Sequence, residues 1–130
     1  MSRLNPDSRH TIATGAALML LGVMLGAFGA HALKARLSAE MLAVYQTAVQ
    51  YHLLHALGLM LIGGLRHLQT NSTLLRVSAW LMGVGVGVFS GSLYALSITG
   101  VTLLGALTPI GGLCFIAAWA LVVWAMVRGN

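Results

Sequence analysis

Residues 38–65 read SAEMLAVYQTAVQYHLLHALGLMLIGGL, and they decide what kind of molecule this is. After Glu40 no charged residue occurs until Arg66. Ser38 is placed to cap a helix, Glu40 falls in the first turn where the helix dipole favours an acid, and Leu37 with Leu42 can form a hydrophobic staple. At 1.5 Å per residue the helix would be roughly 42 Å long, more than a hydrocarbon core of about 30 Å. It therefore spans a bilayer, tilted or with its first turns protruding, and His52 and His55 lie near mid-depth.

Three further stretches are long and apolar enough to span: Thr11–Leu33, Val77–Ile98 and Thr108–Val127. Composition agrees. Of 130 residues, 58% are hydrophobic and 7% charged, where a water-soluble domain carries about 25% charged. The expected fold is all-α: a polytopic membrane protein with four transmembrane helices in an antiparallel bundle, forming a single domain over residues 1–130.

Charge placement sets the expected orientation. Arg3, Arg9, Arg66, Arg76 and Arg128 fall on one side, and Lys34 and Arg36 on the other. The side richer in basic residues faces the cytoplasm, so both termini are expected there. Scattered at segment ends, these basic residues make no nucleic-acid patch. The first apolar run, followed by Ala30-His31-Ala32, could pass for a cleavable signal. At about 20 residues it exceeds the usual apolar core of such signals, and a retained helix is expected.

Small residues form two stripes. Gly15, Gly22 and Gly26 share one face of the first span; Ala79, Gly83, Gly87 and Ser90 share one face of the third, with Gly91 beside them. Such small-xxx-small patterns let helices approach closely, so both are read as packing seams, within the bundle or between protomers. The stretches LLGVMLGAFG (20–29) and LMGVGVGVFS (81–90) also match in register. That fits a duplicated helix pair, although the fourth span has no counterparts to the polar residues of the second.

Those polar residues are the chemistry-bearing feature. On a helical wheel Tyr45, Thr47, Tyr51, His52 and His55 occupy one broad sector, with Gln46 and Gln50 on a different side. Polar side chains are costly in lipid and normally face protein or a wet cavity. The second helix should therefore be the most enclosed of the four. His31, Gln50, Tyr51, His52, His55 and Tyr94 are the candidates for a polar network, a ligand site or a proton path. Interhelical hydrogen bonding is the leading role. A metal, haem or quinone is the alternative, and no cofactor or metal can be named from these residues. Lys34, Arg36 and Glu40 form a small outer charged patch that suits lipid headgroups or a partner. Thr108 and Pro109 read as cap and first residue of the fourth helix, with Gly111 and Gly112 admitting a close neighbour.

Asp7, in the N-terminal tail, and Glu40 are the only acids. One chain thus has no paired carboxylates, and a Ser–His–Asp triad lacks its acid within the membrane. No HExxH, Walker A, GxSxG or CxxC motif occurs, and Cys114 reads as a small core residue. Catalysis is not expected. The bundle is expected to act with membrane lipids around it as a homo-oligomer or as an accessory or assembly part of a larger membrane complex. The alternative is a binding or transport module at the histidines of the second helix.

Four motifs carry a resemblance that covers nearly the whole chain: GAFGAHALK (26–34), YQTAVQYHLLHALGLM (45–60), SGSLYALSITG (90–100) and LGALTPIGGL (104–113). Together they resemble the uncharacterised bacterial inner-membrane family known as domain-of-unknown-function family 423, to which a small eukaryotic mitochondrial transmembrane protein is similar. The resemblance implies a four-helix inner-membrane protein, with no established activity and no catalytic residues.

Overall fold

The computed structural model describes residues 3–129. These form four long helices and, among the described residues, no strand. Helix α1 spans Pro6–Leu33, α2 Ala39–Leu68 and α3 Thr73–Thr99, while α4, Thr108–Arg128, follows a short 3-10 turn at Thr102–Ala106. All four are long and apolar enough to cross a membrane.

Local chemistry explains the ends. Asn5 accepts a hydrogen bond from the Ser8 amide at 2.7 Å, and Pro6 occupies the first turn, so α1 starts well before Thr11. Ser38 caps α2 through the Met41 amide, as its position suggests. Ser72 caps α3 through the Leu75 amide, which draws Arg76 into the first turns of that helix rather than leaving it in the loop. Gly100, at φ 72°, stops α3 in the left-handed conformation that glycine adopts freely. At α4 the expectation fails in detail. Leu107 is the cap residue, and the Thr108 hydroxyl pairs with Ser92 at 2.8 Å because the preceding 3-10 turn runs straight into the helix.

Packing follows the logic of a membrane interior, where apolar side chains gain little by hiding from lipid and close fit decides. Leu20, Val23, Leu54, Leu61, Ile116 and Val123 point outward, whereas Ala48, Ala56, Ala118 and Ala125 are buried. Helix α1 packs on α2 through glycines. A Cβ at Gly15 would lie 2.9 Å from the Ala56 carbonyl oxygen, and one at Gly63 would lie 3.0 Å from the Ile12 amide nitrogen. Gly22 and Gly26 continue this seam against Leu53 and Val49.

A polar latch closes the terminal end of the same pair. Ser8 donates to the buried Gly63 carbonyl at 2.6 Å, and Asn5 donates to the Arg66 carbonyl. Arg66 reaches Thr11 at 2.6 Å and Asp7 at 3.2 Å. Helices α3 and α4 pack around Phe115, Met82, Val86 and Ala118, with the Ser78 hydroxyl donating to the Ala118 carbonyl at 2.8 Å. Here Gly85 meets the Phe115 ring, and Gly111 sits against the backbone of Phe89.

Helix α2 is the hub. It packs against both α1 and α3, and 44% of its most apolar stretch is buried, the largest share of the four; α1, with 17%, is the most peripheral.

Candidate functional site

Of the polar sector of α2, Tyr45, His52 and His55 lie inside the bundle while Tyr51 is 39% exposed; Tyr45 and His52 tie α1, α2 and α3 together. The two nitrogens of His52 are both engaged: Nε2 is 2.8 Å from the Leu18 carbonyl of α1, and Nδ1 is 2.9 Å from the Tyr94 hydroxyl of α3. A carbonyl can only accept, so Nε2 carries the proton and donates to Leu18. In a ring with one proton, Nδ1 then accepts from the Tyr94 O–H. Gly22 makes this possible: a Cβ there would sit 3.2 Å from the His52 ring carbon Cδ2, in the space through which the ring approaches α1.

Tyr45 extends the network about two turns further along α2. Its hydroxyl donates to the Leu25 carbonyl at 2.6 Å, and its ring lies 5.2 Å from that of Tyr94. Gly29 provides the ring's seat on α1. On the other flank, Ser90 of α3 donates to the Ala48 carbonyl at 2.8 Å. Helix α3 widens here into a π-helical turn at Val86–Ser90. Such turns shift the register of one helix face locally.

His55 has a different setting. Its Nδ1 lies 2.8 Å from the Tyr51 carbonyl, so that nitrogen carries the proton and Nε2 is left with its lone pair. The ring stacks on Phe115 with centroids 3.6 Å apart, and Tyr51 stacks in turn beside His55 and Phe89. No hydrogen bond to Nε2 occurs among the described residues.

His52 is therefore paired with Tyr94 and His55 with Tyr51, as two separate clusters, and the remaining candidates join neither. His31 is exposed at the far end of α1, thirteen residues beyond Leu18 and so roughly 20 Å along the helix. Gln50, like Gln46, is exposed on the outer side of α2. Helix α2 thus has no partner on that side within its own chain. Lys34, Arg36 and Glu40 are all exposed, and the one ion pair among the described residues joins Arg66 to Asp7 instead. No three His, Cys, Asp or Glu side chains converge on one point among the described residues.

The two glycine stripes part company. Gly22 and Gly26 pack within the chain, as does Gly15. Gly83, Gly87 and Gly91 have nothing within 4 Å of a notional Cβ, and Gly85, which the stripe omits, makes the close contact. Ser90 counts in the sequence only as a small residue of the stripe and Ser78 belongs to no motif, yet each donates to a carbonyl of a neighbouring helix. A serine amid an apolar span, with a carbonyl as its natural acceptor, was the available signal.

The profile of a family described as "Protein of unknown function (DUF423)" matches residues 25–112, which include all of α2 and α3 and hence the polar network apart from the α1 carbonyl of Leu18. The UPF0382 membrane protein YwdK of Bacillus subtilis is 45% identical over 90% of this chain and 95% of its own. The UPF0382 membrane protein SH2409 of Staphylococcus haemolyticus is 45% identical over 86% of this chain and 90% of its own. No solved structure matches significantly. The chain belongs to the DUF423 family of membrane proteins of unknown function.

Proposed function

We propose that this protein is a non-catalytic accessory or scaffold subunit of the bacterial inner membrane, associating with further copies of itself or with a larger membrane complex. Both termini are assigned to the cytoplasm on the excess of basic residues at that end. One observation carries the reading: Gln50 points outward from α2 at the depth of the buried His52. Lipid tails offer an amide neither donor nor acceptor, and leaving it so costs on the order of a few kcal/mol. A protein neighbour removes that cost.

Two features support the same reading. Gly87 and Gly91 present an open small-residue face on α3, of the kind that lets a foreign helix approach. The acids that hydrolytic or ion-coupled chemistry would use are absent from the span, since Asp7 is committed to Arg66 and Glu40 lies at the start of α2. The test is native mass spectrometry after gentle extraction, comparing the natural chain with Gln50→Leu. Association with copies or a partner that Gln50→Leu weakens supports the reading. A bare monomer, indifferent to the substitution, refutes it.

A second reading rests on the lone pair of His55 Nε2. It makes the protein a binding or transport module for a metal, haem, quinone or proton. A stoichiometric extra mass that disappears in His55→Gln, with the bundle still folded, would replace the first reading by this one.

A further inference from the structure

Helices α1 and α3 both lean on α2, and near the chain termini they stand apart. A groove of about 650 Å³ opens between them. Leu59 of α2 lies at its base; Leu18 and Thr14 of α1 form one wall, and Gly83 and Val84 of α3 the other. It stays open on the α3 side because Gly83 has no side chain and nothing lies within 4 Å of where one would start. At its inner end the Leu18 carbonyl receives His52, and that three-helix junction closes it.

The groove is apolar inside and cationic at its mouth. Arg66 and Arg76 both line it, against the single acid Asp7. Arg66 already holds Asp7 and Thr11. Arg76 is exposed and forms no ion pair among the described residues. Two arginines against one aspartate leave the mouth one positive charge in excess. Depth matters too. From Arg76 to Val84 is roughly 12 Å along α3, and from Asp7 to Leu18 roughly 16 Å along α1. Both are close to the half-thickness, about 15 Å, of a bilayer's hydrocarbon core.

We infer that this groove is a binding site for one anionic phospholipid, its phosphate at Arg76 and one acyl chain lying between α1 and α3. Basic pockets between transmembrane helices bind acidic headgroups by this combination of charge and apolar depth. The volume falls in the range of small-molecule sites. Trp80, one turn inside Arg76 and 73% exposed, sits where interfacial tryptophans flank headgroups.

The experiment uses the full chain, stripped of lipid in detergent and offered equal amounts of dioleoyl phosphatidylglycerol and dioleoyl phosphatidylcholine, with bound lipid counted by native mass spectrometry. One phosphatidylglycerol per chain is expected, in clear preference to phosphatidylcholine. Arg76→Gln should lower that preference about fivefold, the effect of one basic residue near a charged headgroup. Gly83→Leu should fill the groove and abolish the stoichiometric lipid while the thermal melt stays unchanged, since its side chain enters open space. Equal binding of the two lipids, or a preference that survives Arg76→Gln, overturns the assignment. So does disulfide formation between two copies of a Gly83→Cys, Cys114→Ala chain in membranes, which would put a second protein in the groove.

Discussion

Replacing His52 by leucine breaks one junction and leaves the apolar surroundings intact. The substitution removes two interhelical hydrogen bonds, to the Leu18 carbonyl at 2.8 Å and to the Tyr94 hydroxyl at 2.9 Å. Interhelical hydrogen bonds in membrane proteins average about 0.6 kcal/mol each and reach about 1.7 kcal/mol. Two average bonds give about 1 kcal/mol, and the loss rises towards about 3 kcal/mol because the Tyr94 hydroxyl is left without its acceptor. Tyr94→Phe alone removes one bond and should cost about 0.6 kcal/mol. The double variant should cost less than the two single losses added together, because the His52–Tyr94 bond is counted in both. Reversible unfolding in mixed detergent micelles, followed by circular dichroism at rising dodecyl sulfate fraction, measures all three. A His52→Leu chain as stable as the natural one, or strict additivity of the two changes, would refute the account of His52 as a bridge.

Two further outcomes follow from the glycines. Gly29→Ala drives a Cβ into the Tyr45 ring, which is held in place by its bond to Leu25; a loss of about 1–3 kcal/mol is expected for such overpacking, more than Tyr45→Phe should cost in the same micelle assay. Gly111→Ala meets the backbone of Phe89, which cannot swing aside, whereas Gly87→Ala meets nothing within 4 Å. The first should lower the yield of folded protein in membranes and the second should leave the monomer's melt unchanged, as a fluorescence size-exclusion profile of the two variants would show; the reverse ranking would mean that the α3–α4 contact is misassigned.

The number and order of the helices were legible because a span needs about 20 apolar residues, and this chain has four such runs. The enclosure of α2 was legible too, since its tyrosines and histidines require partners. Helix ends were harder to place. Pro6, Asp7 and Arg9 resemble a tail until Asn5 is recognised as a cap, and Arg76 resembles loop until Ser72 is. The facing of each stripe was the least visible. Periodicity tells which residues share a side, and it does not tell whether that side meets a helix or lipid. Gly83, Gly87 and Gly91 satisfy the small-residue pattern yet face outward, while Gly85, two positions along from Gly83, takes the Phe115 ring. Gln50 misled for the same reason: a polar residue demands a partner, and the partner need not belong to the same chain.

The His52 junction also bears on how the chain is made. Ribosomes deliver the helices in order, so α1 and α2 can pair first, through their glycine seam and the Arg66 latch. At that stage Nε2 has its carbonyl on α1, but Nδ1 faces hydrocarbon with a lone pair and no donor. Only the arrival of α3 brings the Tyr94 hydroxyl, in one rotational setting and at one depth. The third helix is therefore proofread as it docks, because a misplaced one leaves a histidine unsatisfied in oil.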